Sequence, residues 1–522
     1  MTSDSMTGSE VPAAGGAAPR IADLVGASAR RFPEKPALVI TDNRTPIAYR
    51  DLAGLAEDLA AQLAGAGLRP GDRVALRAGS NAEFVVGLLA ASRGDLVAVP
   101  LDPALPVEEQ RTRCERVGAR AVLVDGEPAG EGWWWPIAVS ADGGTPAVRL
   151  RAAGPARDAV ATPEGLRDDD AMIMFTGGTT GVPKMVPWTR DNLAASVRAI
   201  VAGYGLGPDD ATVAVMPLYH GHGLLAALLA TLAAGGTVLL PARGRFSAHT
   251  FWDDVAAARA TWYTAVPTIH QILLERAKTG REGDGPVGLR FIRSCSAPLT
   301  AEAARALQDA FSAPVVCAFG MTEATHQVAT TRAEHGENPA ATPGLVGRST
   351  GPEIRIAGPG GEPVPPDAVG EVWLRGPTVV RGYLGDPAIT AANFTDGWLR
   401  TGDLGSLSAA GDLTIRGRIK ELINRGGEKI SPEHVEGVLA NHPDVLEVAV
   451  FARPDPMYGE TVAAVIVPRG TTAPTPDELA EFCRGRLAPY EVPASFELSA
   501  ELPHTAKGSL DRRAVASQFG GV

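Results

Sequence analysis

The chain has 522 residues, with 48 basic against 60 acidic side chains and a formal net charge of −12. An acidic balance of this size excludes a general nucleic-acid or anionic-membrane binder, because neither surface attracts it. Hydrophobic residues make up 45% and charged residues 21%, a balance that excludes a disordered chain and supplies a sizeable core.

Met1 to Arg20 is rich in Ser, Gly, Ala and Pro without a basic-then-apolar pattern, so it reads as a disordered tail rather than a signal peptide. Ile21 to Arg31 and Tyr49 to Ala66 have helical periodicity, and Ala82 to Ser92 reads as another helix. Between and after them lie a short apolar run at Ala37 to Ile40, a strand at Arg73 to Arg77, and apolar runs at Leu96 to Leu101 and Ala121 to Val124 with the pattern of strands buried on both faces. Trp133 to Trp135, in a Gly-rich stretch, reads as a hydrophobic surface plug. Thr212 to Met216 and Val238 to Leu240 are further core strands. The uncharged stretch Gly223 to Leu240 is interrupted by Gly235-Gly236, so it reads as a buried helix, a turn and a strand, not a membrane span. Such alternation predicts an α/β fold with parallel layers. The last fifth differs: helices at Pro432 to Leu439 and Pro476 to Leu487 alternate with strands at Leu446 to Phe451 and Val462 to Val467, which predicts a small α+β domain. The four cysteines, Cys114, Cys295, Cys317 and Cys483, have no CxxC spacing and read as reduced, mostly buried thiols of a cytoplasmic protein.

The most informative segment is Thr176-Gly177-Gly178-Thr179-Thr180-Gly181-Val182-Pro183-Lys184, directly after the apolar run Ala171 to Phe175. Three glycines let backbone N–H groups approach an anion, two threonines add hydroxyl donors, and Lys184 brings a positive charge. That is the chemistry needed to hold a polyphosphate, although no GxxxxGK[ST] register fits.

This segment resembles the phosphate loop of the adenylate-forming superfamily of acyl-CoA synthetases, peptide-synthetase adenylation domains and luciferases. Three more segments resemble its signatures in the same order: Phe319-Gly320-Met321-Thr322-Glu323-Ala324, Gly397-Trp-Leu-Arg-Thr-Gly-Asp403 and Arg416-Gly-Arg418-Ile-Lys420-Glu-Leu-Ile423. The resemblance implies a large multilayered N-terminal adenylation domain over residues 21–418 and a small mobile C-terminal lid domain over 419–522. It further implies ATP and Mg²⁺, with Thr322 by the α-phosphate, Glu323 on the metal, Asp403 and Arg418 on the ribose, Lys420 at the hinge, and Ser296, Ala297, Phe319, Gly320 and Met321 along the nucleotide. A carboxylate or similar oxyanion attacks the α-phosphate, pyrophosphate leaves, and an acceptor then displaces AMP. Gly426-Gly427 lines the thiol tunnel when CoA is that acceptor. Each side chain also suits its place by itself: Glu323 is a hard oxygen ligand, and Asp403 is an acceptor for a vicinal diol.

Arg245 to Trp252, Thr261 to Gln271, Phe291 to Ala297 and Met321 to His326 resemble oxalyl-CoA synthetases more narrowly. Fatty-acid activators need a long apolar tunnel. Here His220, His222, Ser294, Ser296 and His326 are polar groups suited to a small anion's second charged end, whereas His270, His434 and His442 read as structural.

One departure bears on chemistry. The family's C-terminal motif carries a lysine that bridges the acid and the α-phosphate, but Pro503-His-Thr-Ala-Lys507-Gly-Ser509 has serine in its place. Losing a charge aimed at a transition state costs about 3 kcal/mol. Candidates for catalysis are therefore Lys184, Thr322, Glu323, His222 and Lys507. Three functions remain open: a ligase passing a small polar acid to CoA, a diazotase of secondary metabolism adenylating nitrite for transfer to an aryl amine, and a non-catalytic nucleotide sensor. If Lys507 substitutes for the lysine, Lys507→Ala abolishes acid-dependent pyrophosphate release; unchanged release rejects that role.

Overall fold

Apolar strands alternate with amphipathic helices through the first third of the chain, and their spacing dictates layers. Helices Ile21–Arg31, Tyr49–Gly65 and Ala82–Arg93 form where the periodicity predicts them, the last capped by the Asn81 side chain accepting from the Phe84 amide. Their buried faces, including Val25, Leu52, Leu59, Val85 and Leu89, join one apolar cluster with Leu38, Leu76 and Trp135. The computed structural model describes residues 18–40, 43–127, 132–141, 144–152, 154–158, 161–176, 183–278, 288–332, 337–470, 473–504 and 510–520. Of the expected tail, residues 1–17 lie outside this set, while Arg20 is held by Asp95 at 2.6 and 2.7 Å.

Among the described residues the strands form three sheets, of seven, fourteen and five strands. The seven-stranded sheet runs Ala147–Leu150, Trp134–Ser140, Ala119–Val124, Arg73–Arg77, Val97–Leu101, Asp170–Thr176 and Lys184–Thr189. Its interior pairs are parallel and its two edge pairs antiparallel. The tryptophan run is not a surface plug. Trp134 and Trp135 are fully buried, because strand alternation sends one ring to each face of the sheet and hence into two separate cores. Trp133 is only half-buried and stacks under Arg157 at 4.6 Å.

In the largest sheet, Trp262–Ala265, Phe291–Cys295 and Val315–Met321 lie parallel and adjacent, then Val315–Met321 turns back on His326–Thr330. The stretch Gly223 to Leu240 does contain a buried helix, a turn and a strand, but its start, together with the preceding His222, winds as a π-helix over His222–Leu229. π-turns concentrate at functional sites. No helix among the described residues is long and apolar enough to cross a membrane. The last sheet combines Ile423–Arg425, Glu428–Ile430, Val445–Asp455, Gly459–Pro468 and Ser495–Leu498 with helices Pro432–Leu439, Pro476–Arg484 and Arg512–Phe519. The chain is thus a mixed α/β fold with a large N-terminal part and a smaller α+β C-terminal part, and its four cysteines are buried and free.

Candidate active site

Two parallel strands and one antiparallel strand deliver the first group of side chains. Thr264 and Ser294 come from neighbouring strands, Ser296 follows the second, and His326 opens the antiparallel strand paired with Met321. His222, the first residue of the π-helix, reaches them. Its Nδ1 lies 3.0 Å from Ser296 Oγ and its Nε2 2.6 Å from Thr264 Oγ1. The His222 and His326 rings stack with centroids 5.4 Å apart and planes 22° apart. Both histidines are buried, and desolvation first, then the Arg293 charge, hold them well below the usual imidazole value. Both rings are therefore neutral at pH 7. Ser296, Thr325 and His326 have φ of 73°, 48° and 78°, left-handed backbones that cost about 1–3 kcal/mol each in non-glycine residues and gather at binding sites. Half-buried His220 packs against Tyr219 next to this group.

A second group forms around Glu323. The hairpin turn Thr322–Ala324 buries this carboxylate, and Glu323 Oε1 accepts from the Tyr383 hydroxyl at 2.9 Å. Lys184 Nζ lies 3.3 Å from the same hydroxyl and 4.4 Å above the Tyr383 ring. Partial burial lowers the Lys184 ammonium below the usual lysine value, Glu323 pulls it back up, and Lys420 lowers it further. Thr322 Oγ1 donates to no described residue, but the Thr322 carbonyl accepts from Trp188 Nε1 at 2.8 Å, which fixes the turn. One carboxylate beside one ammonium, with no further acid cluster among the described residues, suits Mg²⁺ held mainly by phosphate oxygens.

The third group is Asp403 and Arg418, opposite each other on paired strands, with Asp403 Oδ1 accepting from Arg418 Nε at 2.9 Å. Asp403 is buried while Arg418 is exposed. Desolvation raises the Asp403 carboxyl to about 6, against the pull of Arg418 and with help from Glu433 and Glu323. Lys420 is exposed in the single turn Ile419–Glu421, between the last strand of the largest sheet and the first of the C-terminal sheet. Arg512 clamps this turn to the C-terminal part, bonding Glu421 at 2.9 Å and Glu436 at 2.6 Å.

Among the buried polar atoms that have no partner in the described structure are Thr176 Oγ1, Ser294 Oγ and Asp403 Oδ2. Each belongs to a motif singled out from sequence, and orphaned buried polar atoms call for a ligand or water. Phe319, Gly320 and Met321 are half-buried along the strand that leads to Glu323, and Ala297 follows Ser296. A Cβ on Gly320 would lie 1.7 Å from the His326 carbonyl oxygen, so glycine is required there by backbone contact alone. Gly177, Gly178, Thr179, Thr180, Gly181 and Lys507 lie outside the described residues. Of the structural histidines, His270 is fully buried beside the Tyr263 hydroxyl at 3.2 Å. Sequence reasoning missed Tyr383, which no pattern marks, and Arg293, whose signal was a charge inside an apolar strand.

The sequence matches the profile of AMP-binding enzymes over residues 25–384 and that of the AMP-binding enzyme C-terminal domain over 434–509. It is 42% identical over 502 residues to the oxalate–CoA ligase of Arabidopsis thaliana, covering 94% of this chain and 97% of that one. It is 36% identical over 501 residues to the sulfoacetate–CoA ligase of Cupriavidus necator, covering 94% and 96%. The fold superimposes on ATP-bound MatB from Rhodopseudomonas palustris with a TM-score of 0.82 at 27% identity, over 96% of this chain and 99% of that one.

Removing the Tyr383 hydroxyl leaves a buried carboxylate oxygen without its donor. Tyr383→Phe should therefore lower the unfolding free energy by about 1–3 kcal/mol in the absence of nucleotide. Urea denaturation measures this, and an unchanged midpoint would show that the hydroxyl does not hold Glu323.

Proposed function

Because the chain belongs to the AMP-binding enzyme family, a family of AMP-forming ligases, we propose that it activates a small acid with two anionic ends as its AMP anhydride and transfers it to CoA. The observation that carries this reading is the His222, Ser294, Ser296 and His326 group, which lies one strand pairing away from Glu323 and contains no carboxylate. Oxalate and sulfoacetate, the acids named for two similar ligases, are both small dianions.

The roles follow from what each atom can do. Asp403 Oδ2, buried and unpartnered, accepts the ribose hydroxyls, and Arg418 holds the other carboxylate oxygen in place. Lys184 places its ammonium against the phosphates, with Tyr383 fixing both it and Glu323. Thr176 and Thr322 supply hydroxyls on either side, in strand Asp170–Thr176 and in the hairpin turn. Glu323 would hold Mg²⁺, which neutralises phosphate charge when bound. His222, His326, Ser294 and Ser296 orient the acid so that one carboxylate oxygen meets the α-phosphorus in line with departing pyrophosphate. Lys507 supplies the charge that Ser509 lacks. CoA thiolate then attacks the acyl carbon and AMP leaves.

Oxalate should release one pyrophosphate per ATP consumed, and oxalyl-CoA should form only when CoA is present. A CoA-independent product from nitrite and an aryl amine would instead establish the diazotase reaction. Tight ATP binding without pyrophosphate release from any acid would identify a sensor. The ribose contact carries its own pH signature. Ionised Asp403 is the stronger acceptor, and its carboxyl titrates at about 6, so binding should be complete above that value and weaken below it. Adenosine, which has no titrating phosphate, should lose about tenfold in affinity per pH unit below 6. Asp403→Asn should bind weakly at every pH, and calorimetry showing a flat wild-type profile would reject the assignment.

A further inference from the structure

Arg293 lies in the strand Phe291–Cys295 and is fully buried. All its partners are neutral. Nε donates to the Tyr204 hydroxyl at 2.7 Å, Nη1 to Thr264 Oγ1 at 2.9 Å, and Nη2 to Gln327 Oε1 at 2.9 Å and His326 Nε2 at 3.2 Å. The groups that bear most on its charge, Tyr204 and Cys295, are not carboxylates. Those that bear on His222 are all basic: Arg293, His326, His270 and His220. A buried guanidinium without a counter-charge costs several kcal/mol, so a fold that keeps one behind a binding site leaves that charge to be neutralised from outside.

The hydrogen-bond directions are fixed from Arg293 outward. Arginine only donates, so His326 Nε2 accepts and the ring hydrogen sits on Nδ1, which has no partner among the described residues. Thr264 Oγ1 accepts from Arg293 and owns one proton, with His222 Nε2 at 2.6 Å to receive it. If His222 donated instead, the fully buried Thr264 proton would have no acceptor among the described residues. His222 therefore also carries its hydrogen on Nδ1 and donates to Ser296 Oγ, which frees the proton of the exposed Ser296 hydroxyl for a ligand.

We propose that Arg293 is the positioning and specificity residue of the acid site: it fixes His222 and His326 as neutral Nδ1–H donors and selects acids whose second charge neutralises its own. The proposal rests on the acid-activating reading above. An arginine that merely ties three strands together would move neither the ring tautomers nor the preference among acids.

Two measurements on the full chain test it. The first compares oxalate with oxamate, which has the same shape and one charge fewer, for Arg293→Met, Arg293→Lys and the wild type. Arg293→Met should cut kcat/KM for oxalate about a hundredfold, the scale of losing a buried charge contact, and oxamate by less than tenfold. The KM for ATP should hold, and Arg293→Lys should recover part of the oxalate preference. Equal losses with both acids would overturn the proposal. The second needs no variant to fold stably at this position. Long-range ¹H–¹⁵N spectra of wild type labelled in histidine, assigned with His222→Gln and His326→Gln, should show both rings protonated at Nδ1 and bare at Nε2. The opposite tautomer in either ring would overturn the proposal. If the wild type activates no acid at all, the proposed function fails, and these ring spectra still decide the role of Arg293.

Discussion

Everything in the site hangs on one close backbone approach. Strand Val315–Met321 and strand His326–Thr330 pair so tightly at Gly320 that a methyl group would sit 1.7 Å from the His326 carbonyl oxygen. That contact leaves a four-residue turn with Thr325 and His326 forced into left-handed backbones. Its consequence is a fixed separation between two chemistries. Glu323 projects from the turn toward Tyr383 and Lys184, while His326 projects from the strand toward His222 and Arg293. The group proposed to handle phosphate and the group proposed to handle the acid are thereby held on one hairpin. Ser196 and Thr325 brace it from behind, Ser196 Oγ donating to the Thr325 carbonyl at 2.6 Å and Thr325 Oγ1 to the Thr378 carbonyl at 2.7 Å.

The electrostatics of the site oppose those of the whole chain. A net charge of −12 describes the surface, and it does not describe the interior next to the parallel strand ends. There the buried charge is a guanidinium and the histidines are neutral, while the acids Glu323 and Asp403 belong to the groups proposed to hold the nucleotide. Low dielectric makes such short-range charge placement outweigh the screened field of distant surface acids. Binding a dianion beside ATP is thus compatible with an acidic protein, provided each negative end meets its own donor.

Much of this was legible in the sequence because it depends on local pattern. Helices such as Ile21–Arg31 and the strand Arg73–Arg77 have periodicities and turn residues that set their bounds within a residue. The glycine-rich motif, Glu323, Asp403 and the His220 to His222 turn could be singled out because unusual residue combinations mark them. What stayed hidden depends on tertiary contact. Trp134 and Trp135 sit in a glycine-rich stretch that suggests surface, yet parallel pairing with Ala119–Val124 buries both faces of their strand. Tyr383 reaches Glu323 across 60 residues of chain, and Arg293 reaches Tyr204 across 89. The π-helical turn at His222 has an ordinary helical sequence, all Gly, Leu and Ala after the histidine.

The central claim is that an acid oxygen, not water or CoA, attacks the α-phosphorus of ATP. It is tested most directly by following that oxygen. With oxalate labelled in ¹⁸O and unlabelled water, the account predicts AMP carrying one ¹⁸O and unlabelled pyrophosphate, because the oxygen that bonds to phosphorus stays with AMP when CoA takes the acyl group. Unlabelled AMP, or label appearing in inorganic phosphate, would contradict it.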